Sequence, residues 1–435
     1  MQHRYDVVVV GGGTTGAAAA YHLSEAGVNN MLCLEMGRPG EGRTQPEQVP
    51  DETPLVASDE SVYVPNFSGS RVFEGGPKGP RTIKMIATLP PYVMLDGFAD
   101  LFGWDGVKTF LDLSQHGLKL QVDLANRYLP DPQQQIKQDG SLMVCEADQA
   151  SRLKQEFEFL QKLDCPCEWW YEEQVIEVQG SAAGYVAGIW FPQHARIDSV
   201  TYAKVLLDAA VQSGSLTLKQ ECSPVVDVKD SEAGDHVVIQ LADGELIQAS
   251  QAIVATGGMY MDKLLAGILT PRYSYLAALP HRDPGPMGGM QAPNSANFFT
   301  LGFSHDWCVT DNFVRISGED HYSGLKSPRA KQRCGRLAQW GWEKYPYLEF
   351  GADYPSTYGI YSETPDYMPL VGKPDSSSRV CYMVGCNAWG QASLSAAAAL
   401  APALLGYREM SELEQSTADL FSIRRFSARS TSPSL

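Results

Sequence analysis

The segment YDVVVVGGGTTGAAAAYHLSEAGVNNMLCLEMG, residues 5 to 37, constrains the fold more than any other part of the chain. Tyr5 to Val10 is a β-branched run without polar alternation, the pattern of a strand buried on both faces. Gly11, Gly13 and Gly16 follow as G-x-G-x-x-G. An alanine-rich helical stretch then runs from Ala17 to about Ala26, Gly27 ends it, and MLCLE reads as a second buried strand closing on Glu35. Each glycine has a mechanical use: Gly11 permits the tight turn, Gly13 lets a pyrophosphate approach the backbone, and Gly16 lets helix and sheet pack closely. Thr14 and Thr15 stand between them, where unpaired N–H groups and the helix dipole favour an anion. Glu35 is placed to accept hydrogen bonds from an adenosine ribose. A glycine triplet alone is as easily a turn, but two strands, a helix and a terminal acid together predict a dinucleotide site. NAD and FAD present the same ADP half, so this unit does not choose between them.

A chain of 435 residues exceeds one ordinary core and predicts two domains. It has 44% hydrophobic and 20% charged residues and no apolar run of the roughly 18 residues a membrane-spanning helix needs, so a soluble protein without a membrane span is expected. The first strand pattern begins at Tyr5, which predicts an intracellular, cytoplasmic chain without a leader. A formal charge of −17 repels phosphate backbones and argues against nucleic acid as a partner. Nine cysteines lack metal-ligand spacing, and Cys165 and Cys167, which flank a proline, read as reduced structural thiols ahead of a redox couple or metal pair. The final SPSL has Ser where a peroxisomal signal carries a base, and reads as a disordered tail.

Residues 38 to 80 are rich in Gly, Pro, Ser and acids and read as a long irregular loop, either disordered or a cover over a site. Order returns at RTIKMIATLP, with helices expected over 106–128 and 147–163 around a strand at 141–145. At RIDSVTYAKVLLDAAVQSGSLTLKQECSPVVDVK the chain regains the character of its first segment, with a helix starting at Asp198 and strands in SLTLKQ and SPVVDVK. A hairpin turning at Asp243-Gly244 and a final buried strand from Ala252 to Thr256 lead to Gly257-Gly258. Two interleaved domains are therefore predicted, one from residues 1–90, 195–265 and 356–435, the other from 91–194 and 266–355. No second glycine fingerprint with a terminal acid occurs, which argues against a reductase with a separate NADPH domain.

The N-terminal unit with Glu35, then RIDSVTYAKVLLDAAVQSG, AIVATGGMYMDKL, YGIYSETPDYMPLVG and VGCNAWGQASLSAAAALAPALL, resemble in this order the flavin amine and amino-acid oxidoreductases, the family of D-amino-acid oxidase, glycine oxidase and monomeric sarcosine oxidase. The resemblance covers nearly the whole chain. It implies an α/β fold, a Rossmann-like FAD-binding domain with an interleaved mixed β-sheet substrate domain, and an isoalloxazine at their interface. From the residues themselves, VCYMVG is a buried strand, Asn387 to Gln391 a polar turn, and Ala392 to Leu405 an apolar helix, aimed at a ligand or merely structural. By resemblance its N-terminus faces the pyrimidine edge of the flavin, with Gly385, Ala388, Gly390 and Gln391 in contact. Val226 and Gly257 complete the implied cofactor set.

The family oxidises a C–N bond by hydride transfer to flavin, giving an imine that water hydrolyses, and O2 or another electron acceptor then takes the electrons. Such chemistry needs positioning more than a nucleophile. The chain has no nucleophile motif and no metal-like histidine cluster. Members similar to D-amino-acid and glycine oxidases carry an arginine before S-E-T-P-D, where this chain has Tyr361. Sarcosine-oxidase-like members carry a flavin-linked cysteine two residues earlier, where it has Gly359, so FAD is expected to be non-covalent. Ala392 replaces a lysine of the same pattern. Lys84 matches a substrate-binding arginine, Arg81 reads as structural or flavin-related, and Arg315 stands near a lysine that promotes reaction with dioxygen. Lys84 and Arg315 are alternatively ordinary surface charges. His321 is a further candidate, and Trp389 and Tyr358 are pocket walls or core. Tyr361 facing the substrate, Lys84 and Arg315 are thus the catalytic candidates, and the expected substrate is a small secondary or N-alkylated amino acid. The alternatives are a D-amino-acid or glycine oxidase, a flavoprotein kept for assembly or scaffolding, and an NAD dehydrogenase, which would leave the C-terminal segment without a use.

Overall fold

Val7, Val8, Val9 and Val10 are all buried, as a strand covered on both faces requires, and they form the centre of a first sheet. The computed structural model describes residues 4–39, 83–90, 93–257, 262–281, 288–291, 305–309, 312–321 and 330–427. The expected loop beyond residue 39, Arg81, Gly258 and the tail SPSL lie outside the described residues, as does the side chain of Tyr358.

In the first sheet Arg4–Val10 pairs in parallel with Met31–Leu34 on one side and Leu246–Val254 on the other. Leu216–Lys219 extends it past Met31–Leu34. Val237–Leu241 and Val225–Asp230 extend it antiparallel past Leu246–Val254, with the hairpin turning at Asp243-Gly244 as expected. The second hairpin strand and the buried strand expected at 252–256 are one nine-residue element. Its first part alternates in burial, whereas Ala252 to Val254 are wholly buried because Val380–Val384 joins them as a second parallel neighbour. Helices Thr14–Glu25, Ser199–Gln212 and Gln391–Ala399 pack together beside this sheet. Asp198 caps the second of these by accepting from the Thr201 amide at 3.2 Å, so a single side chain marks where that helix starts.

The helix expected over 106–128 runs from Leu95 to Tyr128, broken at Gly103, whose φ of +68° only glycine adopts cheaply. It lies against Gln391–Ala399, and Gly117 permits the approach: a Cβ there would stand 1.9 Å from the Ala392 carbonyl oxygen. The expected 147–163 helix is a short 3-10 turn followed by Ala150–Lys162.

A second sheet of eight strands runs in the order Ser356–Glu363, Thr270–Pro280, Phe313–His321, Asp306–Val309, Gly289–Gln291, Ser141–Cys145, Ala187–Phe191 and Glu168–Tyr171. Helix Ala330–Lys344 covers one face, where Tyr273, Tyr275, Trp307, Val314 and Ile316 join the core beneath it. The two-residue period of a strand then sends Asp306, Cys308, Arg315 and Ser317 to the opposite face. A small sheet of Ile83–Ile86, Ala195–Asp198 and Ile136–Lys137 completes the fold. Within YGIYSETPDYMPLVG, residues up to Glu363 belong to the second sheet and Leu370–Gly372 to the first, so this stretch carries the chain from one to the other. Asp366, midway, holds Arg425 through both carboxylate oxygens at 2.8 and 3.0 Å.

Candidate active site

The turn between the first strand and first helix is built for close approach. Gly11 has φ +105°, and a Cβ on Gly16 would fall 1.9 Å from the Gly11 carbonyl oxygen. Gly13 caps the helix in extended backbone, and a Cβ there would meet none of the described residues within 4 Å, which leave the space before the helix open. No side chain caps this end and no acid lies in its first turn, where Thr14 and Thr15 are half-buried. Glu35 is buried at the edge of this space, accepting the Gly12 amide at 2.7 Å and the Gly37 amide at 2.8 Å. Burial raises its pKa while the two amides oppose the rise. Each carboxylate oxygen keeps a lone pair for a further donor. Thr256 has a buried hydroxyl without a partner among the described residues, next to Gly257 at φ +63°. Val226 is the bulged residue of its strand and is exposed.

The second uncapped helix end follows Val380–Val384. Gly385, Asn387 and Ala388 all have positive φ, at +77°, +49° and +69°, and Gly390 leads into Gln391–Ala399 without a side-chain cap. For non-glycine residues this conformation costs about 1–2 kcal/mol each, so neighbouring contacts must hold it. Asn387, buried, does so: its Oδ1 accepts the Thr364 amide at 2.8 Å and its Nδ2 donates to the Gly385 carbonyl at 2.8 Å. Ser362 accepts the Asn387 amide at 3.1 Å and the Gly385 amide on its hydroxyl at 3.2 Å. Gln391 Oε1 accepts from Gln121 Nε2 of the long helix at 3.0 Å. Trp389 is half-buried at the margin of the core. Asn387, Thr364, Ser362 and Gln121 were not anticipated from sequence. Thr364 and Ser362 sat in a conspicuous motif, but only the fold shows that they brace the turn.

Replacing Asn387 by Leu is expected to lower the melting temperature by roughly 2 °C or more, because about 2 kcal/mol of buried hydrogen bonding is lost. Thermal unfolding followed by circular dichroism measures this.

Near the second of these turns, where Cys386 faces Lys84, the second sheet presents a charged wall. Arg315 is buried, donates to Ser317 Oγ at 2.9 Å and faces Asp306 at 3.5 Å. Lys84 reaches the same place from the small sheet. It is partly buried, forms no hydrogen bond or ion pair among the described residues, and has Arg315, Asp306, Cys386 and Cys308 around it. Burial, followed by Arg315, lowers its pKa to about 8. Burial pushes the Asp306 carboxyl up, against the pull of Arg315 and Lys84. Tyr361 is buried and donates its hydroxyl to Asp320 at 2.9 Å. Its cross-strand neighbour Arg272 pairs with Glu363 at 2.5 Å. His321 is stacked on Tyr273 and Tyr275 and hydrogen-bonded to the Tyr275 hydroxyl at 2.7 Å. Burial and then Arg333 lower its pKa to about 4, so it stays neutral in its stack. The structure thus brings Lys84 and Arg315 together, while His321 serves packing.

A sequence model described as "FAD dependent oxidoreductase" matches residues 6–403. The chain belongs to the FAD-dependent oxidoreductase family. No curated protein sequence matches it. The oxidoreductase is similar in structure to glycine oxidase from Geobacillus kaustophilus, with a TM-score of 0.69 and 16% identity over 98% of this chain and 99% of that one. It is also similar to NikD, an amino acid oxidase essential for nikkomycin biosynthesis, with a TM-score of 0.66 and 17% identity over 97% and 98% of the two chains. L-proline dehydrogenase from P. horikoshii gives a TM-score of 0.65 and 14% identity over 99% of each chain. These likenesses establish the α/β fold, a Rossmann-like unit with an interleaved mixed sheet.

The residues fit FAD. The open space over Gly13, the orphaned Thr256 hydroxyl, the acceptor at Glu35 and two uncapped helix ends match an anionic dinucleotide with ribose donors. Among the described residues no three side chains could hold a metal ion, and no helix is long and apolar enough to cross a membrane. All nine cysteines are free thiols, Cys165 and Cys167 included.

Proposed function

We propose that this oxidoreductase oxidises the C–N bond of a small secondary or N-alkylated amino acid to an imine, which water hydrolyses. The observation that carries this reading is Lys84, a half-buried ammonium without an ion pair among the described residues, beside an arginine already engaged by Asp306 and Ser317. A substrate carboxylate is the natural partner of such a cation. FAD, when bound, supplies the two-electron acceptor for the hydride that leaves the substrate carbon. Gly11, Gly13, Thr14, Thr15 and Gly16 would hold its phosphates, Glu35 its ribose and Val226 its adenine, with Thr256 and Gly257 alongside. Gly385, Ala388, Gly390 and Gln391 would hold its far end, where the helix N-terminus favours negative charge.

Lys84 would fix the carboxylate, and Tyr361, oriented by Asp320, would help wall the substrate from water. Arg315 would place fixed positive charge where dioxygen or another acceptor reacts. Gly359 offers no side chain for a covalent link, which supports non-covalent FAD. The first sheet would form most of the FAD-binding domain and the second the substrate domain.

The test is an anaerobic panel of secondary, N-alkylated and primary amino acids read by absorbance at about 450 nm, the flavin band. Bleaching by N-alkylated members is expected. Preference for primary amines would favour a D-amino-acid or glycine oxidase, and persistence of the band with every compound would favour a scaffolding role. A second expectation concerns pH. Lys84 is charged below its pKa of about 8 and neutral above it, so kcat/KM should fall as pH rises through about 8. Lys84→Arg, which does not titrate in that range, should remove this limb.

A further inference from the structure

The second sheet passes into the small sheet at a turn, residues 192–194, between strands Ala187–Phe191 and Ala195–Asp198. His194 closes this turn, wholly buried, with its ring stacked on that of Phe191 at 4.7 Å between centroids. Both ring nitrogens are engaged. Nε2 lies 3.2 Å from the Thr88 amide and 2.9 Å from the Thr88 hydroxyl, and Nδ1 lies 2.6 Å from Ser141 Oγ. An amide N–H can only donate, so Nε2 is the acceptor, and Nδ1 carries the proton and donates it to Ser141. Burial lowers the pKa of the ring to about 3, so it stays neutral in this place.

These contacts join the two sheets that supply the charged wall. Ser141 opens a strand of the second sheet, where it pairs with Phe191, and the ladder runs on from that strand to those of Asp306 and Arg315. Thr88 lies just beyond Ile83–Ile86, the strand of Lys84, and Ala195, next to His194, pairs with Ile86. That strand is four residues long and, among the described residues, has a ladder neighbour on one side only. Its register decides what the wall contains, because a slip of one residue turns Lys84 to the other face and puts Met85 in its place. We infer that His194 is a positioning residue of the site: it pins the register of Ile83–Ile86 through Thr88 and so holds the Lys84 ammonium beside Arg315 and Asp306. This inference rests on the reading of Lys84 as the partner of a substrate carboxylate, and adds the residue that keeps it there.

The test uses the holoenzyme and a matched pair of amines, one carboxylated and one not. His194→Asn places an amide where Nδ1 lay, within reach of Ser141 but not of Thr88, whereas His194→Gln places an acceptor near Nε2 that can still take the Thr88 amide. The Asn variant should lower the ratio of kcat/KM for the carboxylated amine to that for the other by about tenfold, mainly through KM, as displacing a positioned group does. The Gln variant should keep the ratio within about threefold of the parent. The pH profile is a second readout, which a loss of stability alone would not move. Arg315, Asp306, Cys308 and Cys386 face Lys84, and burial followed by Arg315 lowers its pKa to about 8. Released from that place, Lys84 titrates closer to an ordinary lysine, so in the Asn variant the falling limb of kcat/KM should move to higher pH. Should that variant not fold, Ser141→Ala removes the other anchor and should lower the ratio by about threefold, with the limb moving in the same direction. An unchanged ratio and limb in whichever of these two variants folds, or equal losses with both amines, makes His194 an ordinary core residue and overturns the inference. A ratio that Lys84→Met lowers and His194→Asn does not overturns this inference alone, while a ratio unmoved by Lys84→Met overturns the Lys84 reading and this inference with it.

Discussion

Gly13→Glu is expected to fold with its far-ultraviolet spectrum unchanged and to bind FAD roughly a thousandfold more weakly than the parent chain, a loss of about 4 kcal/mol. The fold should survive because Gly13 has φ −71° and ψ −177°, extended backbone that any residue adopts, and because a Cβ there meets none of the described residues within 4 Å. The cofactor should not, because the new carboxylate enters the space in front of the helix where the pyrophosphate would lie and repels it at close range. Gly13→Gln separates volume from charge, and an intermediate loss is expected. Gly16→Val makes the contrasting case. Its side chain would run into the Gly11 carbonyl, so that variant should lose stability together with FAD. Titration of apoprotein with FAD by fluorescence, alongside thermal unfolding, distinguishes the two outcomes.

That contrast marks what the sequence made legible. The glycine spacing, the buried strands and Glu35 are local signals, since hydrogen bonding and helix geometry act over a few residues, and they appear in the structure where the pattern put them. The hairpin at Asp243-Gly244 and the cap at Asp198 are local in the same sense. Three features were not legible for the opposite reason. Asn387 matters through Ser362 and Thr364, which are far from it in sequence, so only tertiary packing reveals the brace. Asp306 and Asp320 look like ordinary strand acids until pleating turns them toward Arg315 and Tyr361. The long strand Leu246–Val254 read as two elements because its burial changes midway, when a new neighbour joins it. His321, a site candidate by proximity to Arg315, lies instead in a tyrosine stack.

The strand Ser356–Glu363 shows how a family resemblance and a physical pattern divide the work. Its residue types suggested Tyr361 beside the substrate, and the structure ties Tyr361 to Asp320 and Arg272 to Glu363. Arg272 is thereby committed to a carboxylate of the same sheet. Lys84, by contrast, has no ion pair among the described residues, and its proposed partner is a substrate carboxylate.

Replacing Lys84 by Met should therefore lower kcat/KM for a carboxylated amine by roughly a hundredfold, equivalent to about 3 kcal/mol, the upper range for a hydrogen bond to a charged group. KM should carry most of the change, because carboxylate binding is shared by ground and transition states. FAD affinity is titrated alongside, because strand Ile83–Ile86 packs on helix Gln391–Ala399 and Lys84 lies near Cys386 of the turn before it. For an amine lacking a carboxylate the variant and the parent should differ by less than about threefold, because the lost interaction has no partner there. Steady-state kinetics with a matched pair of amines, one carboxylated and one not, measures both ratios. Equal losses with both would show that Lys84 acts on the whole site rather than on the carboxylate.

The most direct measurement is the absorbance of the purified holoprotein under anaerobic conditions before and after an N-alkylated amino acid is added. FAD held between two helix ends beside Lys84 predicts bands near 375 and 450 nm, loss of the 450 nm band on mixing, and its return in air or with another acceptor. A 450 nm band that persists with every carboxylated amine would contradict C–N oxidation at this site.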